Sequence, residues 1–312
     1  MQPTDVNTPA SGAYTELAQL IALRFPARQL RLGRRKRALS LLAGPNKTNF
    51  RGRGIEFEEV RGYQHGDDIR TIDWRVTART GSAHTKLFHE ERERPVLVVA
   101  DQRNSMFFGS SHCCKSVLAA HIAGLIAWSA LDAGDRVGGL VYNDGQHREI
   151  RPRRSRKTVL GLLSEIDAYN HQLPGQVEEP RSFADTLAKL RRIARPGASV
   201  YLVSDFRGAA ENSAREQLFE LAKHTEVTAI LCSDPLEEAL PRAGTYAVTD
   251  GKQRSELQTG DRNARQRYRD ESEQRNAQLG ETFQRLGIPL LRASTNISPF
   301  DVLQTYYGER RR

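Results

Sequence analysis

The chain has 312 residues, 38% hydrophobic and 27% charged, with a mean hydropathy of −0.59. That length suits one large α/β domain or two smaller ones, with a modest but adequate core. The net charge of +9 and pI near 9.7 direct attention to acidic partners, and the three cysteines, with no CxxC pair, argue against a disulfide scaffold or a thiolate zinc site.

The first stretch, MQPTDVNTPASGAY, has neither a basic leader nor an apolar core and does not read as a signal peptide. Residues 1–12 are small and polar and read as disordered. Segment 13–45 is basic and helical: Leu17, Leu20 and Ile21 fall at helical spacing within Tyr14–Leu23. Between Glu16 and Glu56 there is no acid but there are ten basic residues, which makes Arg28–Ser40 a solvated charged face or a dock for acidic groups. Residues 46–94 mix strand-like alternation with turn signals at Gly62, Gly66-Asp67-Asp68 and Thr80-Gly81-Ser82.

From Pro95 the pattern becomes a regular alternation of strand and helix. Val96–Ala100 is an uninterrupted apolar run, as expected of a strand buried on both faces. A long helix over Cys113–Ala133 follows, then a strand over Arg136–Tyr142 and an edge strand over His147–Arg151. Helices are predicted over Arg153–Tyr169, Ser182–Ala194 and Ala210–His224, with strands over Ser199–Ser204 and Val227–Cys232. A β excursion near Gly244–Leu257, a polar helix over Arg262–Leu286, a strand over Pro289–Arg292 and a helix over Pro299–Tyr307 complete the chain. The longest apolar stretch, Val117–Leu131, is shorter than the ~20 residues that span a bilayer. The predicted class is α/β: a doubly wound, mostly parallel sheet over 95–309, with a smaller N-terminal β-containing segment. Ligands of such sheets bind at the carboxyl ends of the strands, where Asp101, Asp205 and Asp234 fall.

Several motifs run in order through the chain: Glu56-Phe57, Arg61-Gly-Tyr63, Gly66-Asp-Asp-Ile-Arg-Thr-Ile-Asp-Trp74, Ala78-Arg79, Asp101 with Ser105-Met106 and Gly109, Ser204-Asp205, Asp234-Pro-Leu-Glu237, and the stretch Leu286–Gly308. On these the chain resembles the bacterial domain-of-unknown-function fifty-eight family, whose core is a von Willebrand factor A-like domain. The resemblance implies a non-catalytic interaction module with a MoxR-type AAA+ ATPase as partner, while the cysteine usage, the N-terminal stretch and the short apolar run point to the cytoplasm. Contact with a membrane surface stays open.

The resemblance also implies a magnesium site. Its ligands would be Asp-x-Ser-x-Ser after the first strand, a Thr from a later loop and an Asp after the fourth strand. Asp101, Ser105 and Asp205 match. Arg103 stands where the first Ser would be, and the family register puts Arg181 at the loop Thr, with Ser182 as an alternative hydroxyl. Magnesium wants about six oxygens, whereas an arginine between two acids can replace it outright, at up to about 4 kcal/mol per pair before desolvation. Three readings follow: a bound Mg²⁺, a cation-substituted site without metal, or an Asp101 that only caps its turn. The expected partner-binding surface is Asp101, Arg103, Ser105, Arg181, Asp205 and Asp234, with Asp67, Asp68, Arg70 and Asp73 from the family's most specific block. Asp73-Trp74 and Arg70 are expected to pack and pair ions between the N-terminal part and the sheet domain.

Other chemistry is weaker. Gly66-Asp67-Asp68 is a turn with polar tips, not a polymerase carboxylate pair, and GxxxxGK[ST] and GxSxG are both absent. Cys113-Cys114 reads as structural. The basic runs 24–37 and 148–157 are the basis of an alternative nucleic-acid reading, but they lack interleaved aromatics.

Overall fold

The structure is a computed structural model that describes residues 7–32, 56–64, 72–89, 95–172, 180–249 and 254–308. It divides into two compact units, one formed by Met1–Gly44 with Arg94–Arg312, the other by Pro45–Glu93.

The larger unit opens with two short helices, α1 (Leu17–Ala22) and α2 (Arg24–Ala27). The smaller unit holds β1 (Glu56–Gly62), α3 (Trp74–Thr80) and β2 (His84–His89), with β1 and β2 antiparallel. Asp73 caps α3 by accepting from the amides of Arg75 and Val76, and Gly81 ends it in the left-handed region at φ 74°. Asp67, Asp68 and Arg70 lie outside the described residues.

The chain then returns to the larger unit with β3 (Pro95–Asp101), a 3₁₀ turn at Asn104–Met106, α4 (Lys115–Asp132), β4 (Arg136–Tyr142), β5 (His147–Arg153), α5 (Arg156–His171), α6 (Phe183–Ile193) and β6 (Ser199–Ser204). There follow α7 (Asn212–His224), β7 (Glu226–Ser233), α8 (Pro235–Glu238), the hairpin β8 (Thr245–Thr249) and β9 (Arg254–Gln258), α9 (Arg262–Arg285), β10 (Leu290–Ser294) and α10 (Pro299–Tyr307). Six strands pair in the order β10-β7-β6-β3-β4-β5, all parallel except the antiparallel edge strand β5. This is the doubly wound, mostly parallel α/β sheet that the alternation predicts.

Both faces of the sheet are covered. Val96, Val98 and Ala100 of β3 join a core with α4, α5 and α10, while Leu97 and Val99 join one with α6 and α7. The period of two along β3 therefore feeds two hydrophobic layers, which accounts for its unbroken apolar run. Helix α4 is buried from Lys115 to Ala130, on every side. Such a helix needs cover on its outer face as well, and α1, α2 and the turn after them supply it. The Trp128 indole donates to Leu20 O and the Ser129 hydroxyl to Leu30 O, and Leu30 and Leu32 are buried. Within residues 28–32 the leucines close the core over α4 while Arg28, Gln29 and Arg31 are exposed, and residues 33–40 of the expected charged face lie outside the described residues. Residues 7–12 are not a loose tail throughout: the Gly12 amide donates to His112 O, and Gly12 O accepts from the Cys114 amide.

Close backbone approach decides some positions. A Cβ on Gly139 of β4 would stand 2.0 Å from Val98 O, whereas one on the exposed Gly161 of α5 would meet nothing within 4 Å. Gly139→Ala should destabilise the fold by about 1–3 kcal/mol, and Gly161→Ala should stabilise it by roughly 0.5–1 kcal/mol. Urea unfolding of the two variants tests the pair, and equal effects would contradict the packing.

Burial lowers the pKa of His121 in α4 from 6.5 to about 4, against a hydrogen bond with Val117 O. In that window the unfolded chain binds more protons than the folded one. Stability should therefore fall as pH drops from 6.5 to 4, by up to about 1.4 kcal/mol per pH unit. His121→Leu should flatten this part of the urea-midpoint profile against pH.

Candidate functional site at the carboxyl edge of the sheet

The chain passes from β3 to β4 on one side and returns through β6 on the other, so the sheet's switch point lies between β3 and β6. A crevice opens at such a point, outside the strand ends. Asp101 is the last residue of β3 and is fully buried, and Asp205 follows β6 with its side chain 4% exposed.

Arg103 bridges the two. Its amide donates to Asp101 Oδ1 at 2.9 Å, its Nε to Oδ1 and Oδ2 at 3.1 and 3.0 Å, and its Nη2 to Oδ2 at 2.7 Å. The same Nη2 lies 3.3 Å from Asp205 Oδ1, and Nη1 donates to Arg207 O at 3.1 Å. Ser204 Oγ donates to Asp101 Oδ2 at 2.6 Å. The guanidinium lies over the rings of Tyr142 and Phe183, at 5.6 and 5.4 Å. Burial opposes the charge of Arg103, but Asp101, Tyr142 and Asp205 outweigh it and hold the pKa above the usual arginine value.

A second cation completes the cluster. Lys115 is fully buried at the first turn of α4, and its Nζ contacts Asp205 Oδ2 at 3.2 Å and Glu237 Oε1 at 2.7 Å. Arg207 reaches the same two acids at 3.4 and 3.3 Å. Three acids thus face three cations across the ends of β3, β6 and β7. Burial alone would raise the pKa of Asp205. Lys115 and Arg103 overcome it, with help from the nearby Ser105 hydroxyl and the Arg207 amide, and the pKa is lowered.

Local structure places each group. Phe206 has φ 55°, which is unusual for a bulky residue, and its ring sits edge-on between Phe183 and Phe283. Its amide donates to Ser204 Oγ, and the reversed turn leaves Asp205 and Arg207 on the same cluster. Glu237 occupies the third position of α8, in a capping box with Asp234. The long polar helix α9 fastens that turn: Tyr268 Oη donates to Leu236 O and Ser272 Oγ to Glu237 O.

Not every expected residue is in the cluster. Asp234 is a buried structural hub beside it, accepting from Leu236 N, Ser110 N and Thr295 Oγ1. Burial would raise its pKa, but the Thr295 and Ser110 bonds outweigh this and lower it. Arg181 is exposed. It donates from its amide to Asp144 O and contacts His147 Nδ1 at 2.7 Å, so it stands by the β4–β5 turn and not between the acids. The family register placed it at the loop position, but the turn at Asn143-Asp144-Gly145 captures it. Ser182 is engaged in a capping box with Asp185 and is no free hydroxyl. Ser105 lies in the 3₁₀ turn, and its Oγ is buried without a hydrogen bond of ordinary geometry. Burial pushes the Cys113 thiol up to about 12 and raises Cys114 as well, so the start of α4 does not activate them.

For a divalent ion the donor set is poor. Both Asp101 oxygens accept from Arg103, and both Asp205 oxygens face a cation. Ser105 Oγ is the remaining oxygen of the expected set without a hydrogen bond. Magnesium would have to displace a fixed positive charge and then stand beside it. Among the described residues, no group of three or more His, Cys, Asp or Glu side chains is arranged to hold a metal.

Sequence reading missed Lys115, Glu237 and Arg207. One signal for Lys115 was available: a lysine at the start of an apolar helix, with no acid in the first turn, opposes the helix dipole. Lys115→Met would remove the buried cation from both Asp205 and Glu237, leaving Arg103 and Arg207 on the first and Arg207 on the second, so the cost should stay below the about 3–5 kcal/mol of a buried pair broken from one side. The depressed pKa of Asp205 contributes stability that is present above the unfolded carboxylate range and lost as pH falls through the folded value. The deficit of Lys115→Met should therefore be full at pH 7 and shrink below about pH 4, as read by urea unfolding at both values.

The comparisons agree with the sequence motifs. The family model described as "Protein of unknown function DUF58" matches residues 59–278. The chain is 32% identical over 225 residues to "Uncharacterized protein Rv1480" of Mycobacterium tuberculosis, covering 72% of this chain and 69% of that one. Among solved structures, an aerotolerance-related membrane protein from Bacteroides fragilis overlays with a TM-score of 0.40 at 12% identity, over 68% of this chain and 98% of that one. A von Willebrand factor type A protein from Catenulispora acidiphila gives 0.32 at 16% identity, over 48% and 34%. Among the described residues no helix is long and apolar enough to cross a membrane. With the model matching well over half of its length, and a relative above 30% identity, the chain belongs to the DUF58 family.

Proposed function

We propose that this chain is a non-catalytic protein-interaction adaptor that binds its partner through the carboxyl edge of the sheet, without a metal. Its partner in this reading is a MoxR-type AAA+ ATPase, and the pair acts in assembly or maturation of a client complex. The family resemblance supports the partner. The observation that carries the metal-free reading is Arg103, whose guanidinium engages both oxygens of Asp101 and reaches Asp205. The carboxylates beside the Ser204 and Ser105 hydroxyls are paired with cations, which weakens them as bases, and burial raises the pKa of the nearby Cys113 thiol. The rim around it offers contacts of a kind that proteins recognise, with Phe108 40% exposed and the Arg207 side chain 61% exposed.

Affinity capture of the tagged full chain from its own cell extract tests the partner. A MoxR-type ATPase should be recovered equally with and without a chelator, and Arg207→Glu should cut recovery at least tenfold while the fold is kept. Repeated capture without any such ATPase would overturn the reading. Calorimetry tests the built-in cation: Arg103→Ser should raise Mg²⁺ affinity at least tenfold over the parent. Equal Mg²⁺ binding by both would show that Arg103 does not stand in for the ion.

A further inference from the structure

The hairpin β8–β9 contributes nothing to either hydrophobic layer of the domain. Every residue of β8 is exposed, and so is every residue of β9 except the half-buried Leu257. The hairpin is tied at its base by the buried Thr259. The Thr259 amide donates to Gly244 O, its hydroxyl to Arg242 O, and the Gly244 amide donates to Thr259 Oγ1. Beyond the base, Tyr246 lies opposite Leu257, Ala247 opposite Glu256, Val248 opposite Ser255 and Thr249 opposite Arg254, without a register shift. Among the described residues no third strand pairs with either edge. A two-stranded ribbon is marginal in water when nothing packs against it.

The two edges of this ribbon differ. Strand β9 carries Arg254 and Glu256, charges of the kind that keep an edge strand from pairing. Strand β8, Thr-Tyr-Ala-Val-Thr, has no charge, proline or glycine, and its β-branched and aromatic residues favour pairing. The Thr259 amide bond to Gly244 O also sets which backbone groups are open. Gly244, Tyr246 and Val248 turn theirs towards β9, so Ala247 turns its amide and carbonyl to the open edge.

We infer that β8 pairs antiparallel with β8 of a second copy of this chain, about a two-fold axis at Ala247. Such an interface uses the same patch on both copies and so must be self-complementary. In this register Tyr246 lies opposite Val248 of the second copy, and Thr245 opposite Thr249. Aromatic–β-branched and Thr–Thr pairs are among the favourable cross-strand pairs. Tyr246 and Val248, 36% and 42% exposed, share one face with Leu257, so the joined sheet carries a continuous apolar row. The same pairing through β9 would set Glu256 against Glu256, which like charge disfavours. Charge therefore selects the β8 edge. A five-residue pairing is smaller than a stable interface, which begins at about 1,200 Å², so the dimer depends on concentration.

Sedimentation velocity of the full chain at increasing concentration tests this, and should show a monomer–dimer equilibrium. Ala247→Pro removes the open-edge amide and leaves the ladder to β9 intact, since an edge strand tolerates proline where its N–H faces solvent. It should weaken the dimer at least tenfold. Glu256→Pro makes the same change on the β9 edge and should alter affinity less than twofold. Ala247→Glu sets a new carboxylate against its copy across the two-fold, each beside Glu256. It should weaken the dimer at least tenfold at low salt and recover part of the loss at high salt. A monomer at every concentration would overturn the pairing. So would equal losses from the two proline variants, or an Ala247→Glu loss that salt leaves unchanged.

Discussion

A carboxylate buried at the end of a central strand must be neutralised, and the carboxyl edge of this sheet is organised by that need. Asp101 has no exposed surface. An isolated ionised acid there would be prohibitively costly. Arg103, two residues later, supplies the charge through the shortest available loop and at the same time reaches across the switch point to Asp205. Arg103 cannot fully neutralise two acids, so Lys115 enters from α4. Lys115 in turn draws in Glu237 from beyond β7. Each ion calls for the next until the chain reaches Arg207 and Glu237 at the surface, where water takes over the screening.

The second constraint is the burial of α4 on all sides. A helix that brings Lys115 to the cluster and is apolar along its remaining length must be covered outside as well as inside. That requirement recruits α1, α2 and Leu30 to the sheet domain. A polar chain ties the same N-terminal stretch to the edge: the Thr15 amide donates to Asn170 Oδ1, Asn170 Nδ2 to Gln102 Oε1, and Gln102 Nε2 to Ser116 O. Gln102 lies between Asp101 and Arg103, so the N-terminal segment is coupled to the loop that carries the cluster.

The fold was legible because burial on both faces writes itself as apolar runs. Arg136–Tyr142, Ser199–Ser204 and Pro299–Tyr307 have the predicted bounds. Helix starts moved inward by one to three residues, as at Lys115 and Arg156, where the cap residue precedes the first helical turn. The strand-end acids were legible for the same topological reason. What could not be read was long range: that Lys115 meets Asp205, that Arg181 turns to His147, and that basic residues after Arg28 lie beside buried leucines. Nothing local distinguishes Leu30 in a charged run from a solvated leucine. Only the outer side of α4, which it covers, does so.

Phe206 shows how firmly the edge is built. A bulky residue at positive φ costs on the order of 1–3 kcal/mol and persists only where its surroundings over-determine it. Here two aromatic edges and the Ser204 hydroxyl do so, and that same hydroxyl also donates to Asp101. The kink, the acid pair and the core are therefore one structure. This edge carries its positive charge on the chain, fixed by side chains whose positions the core determines. Ionic strength can then weaken only its exposed rim, at Arg207, while the buried pairs beneath stay in place.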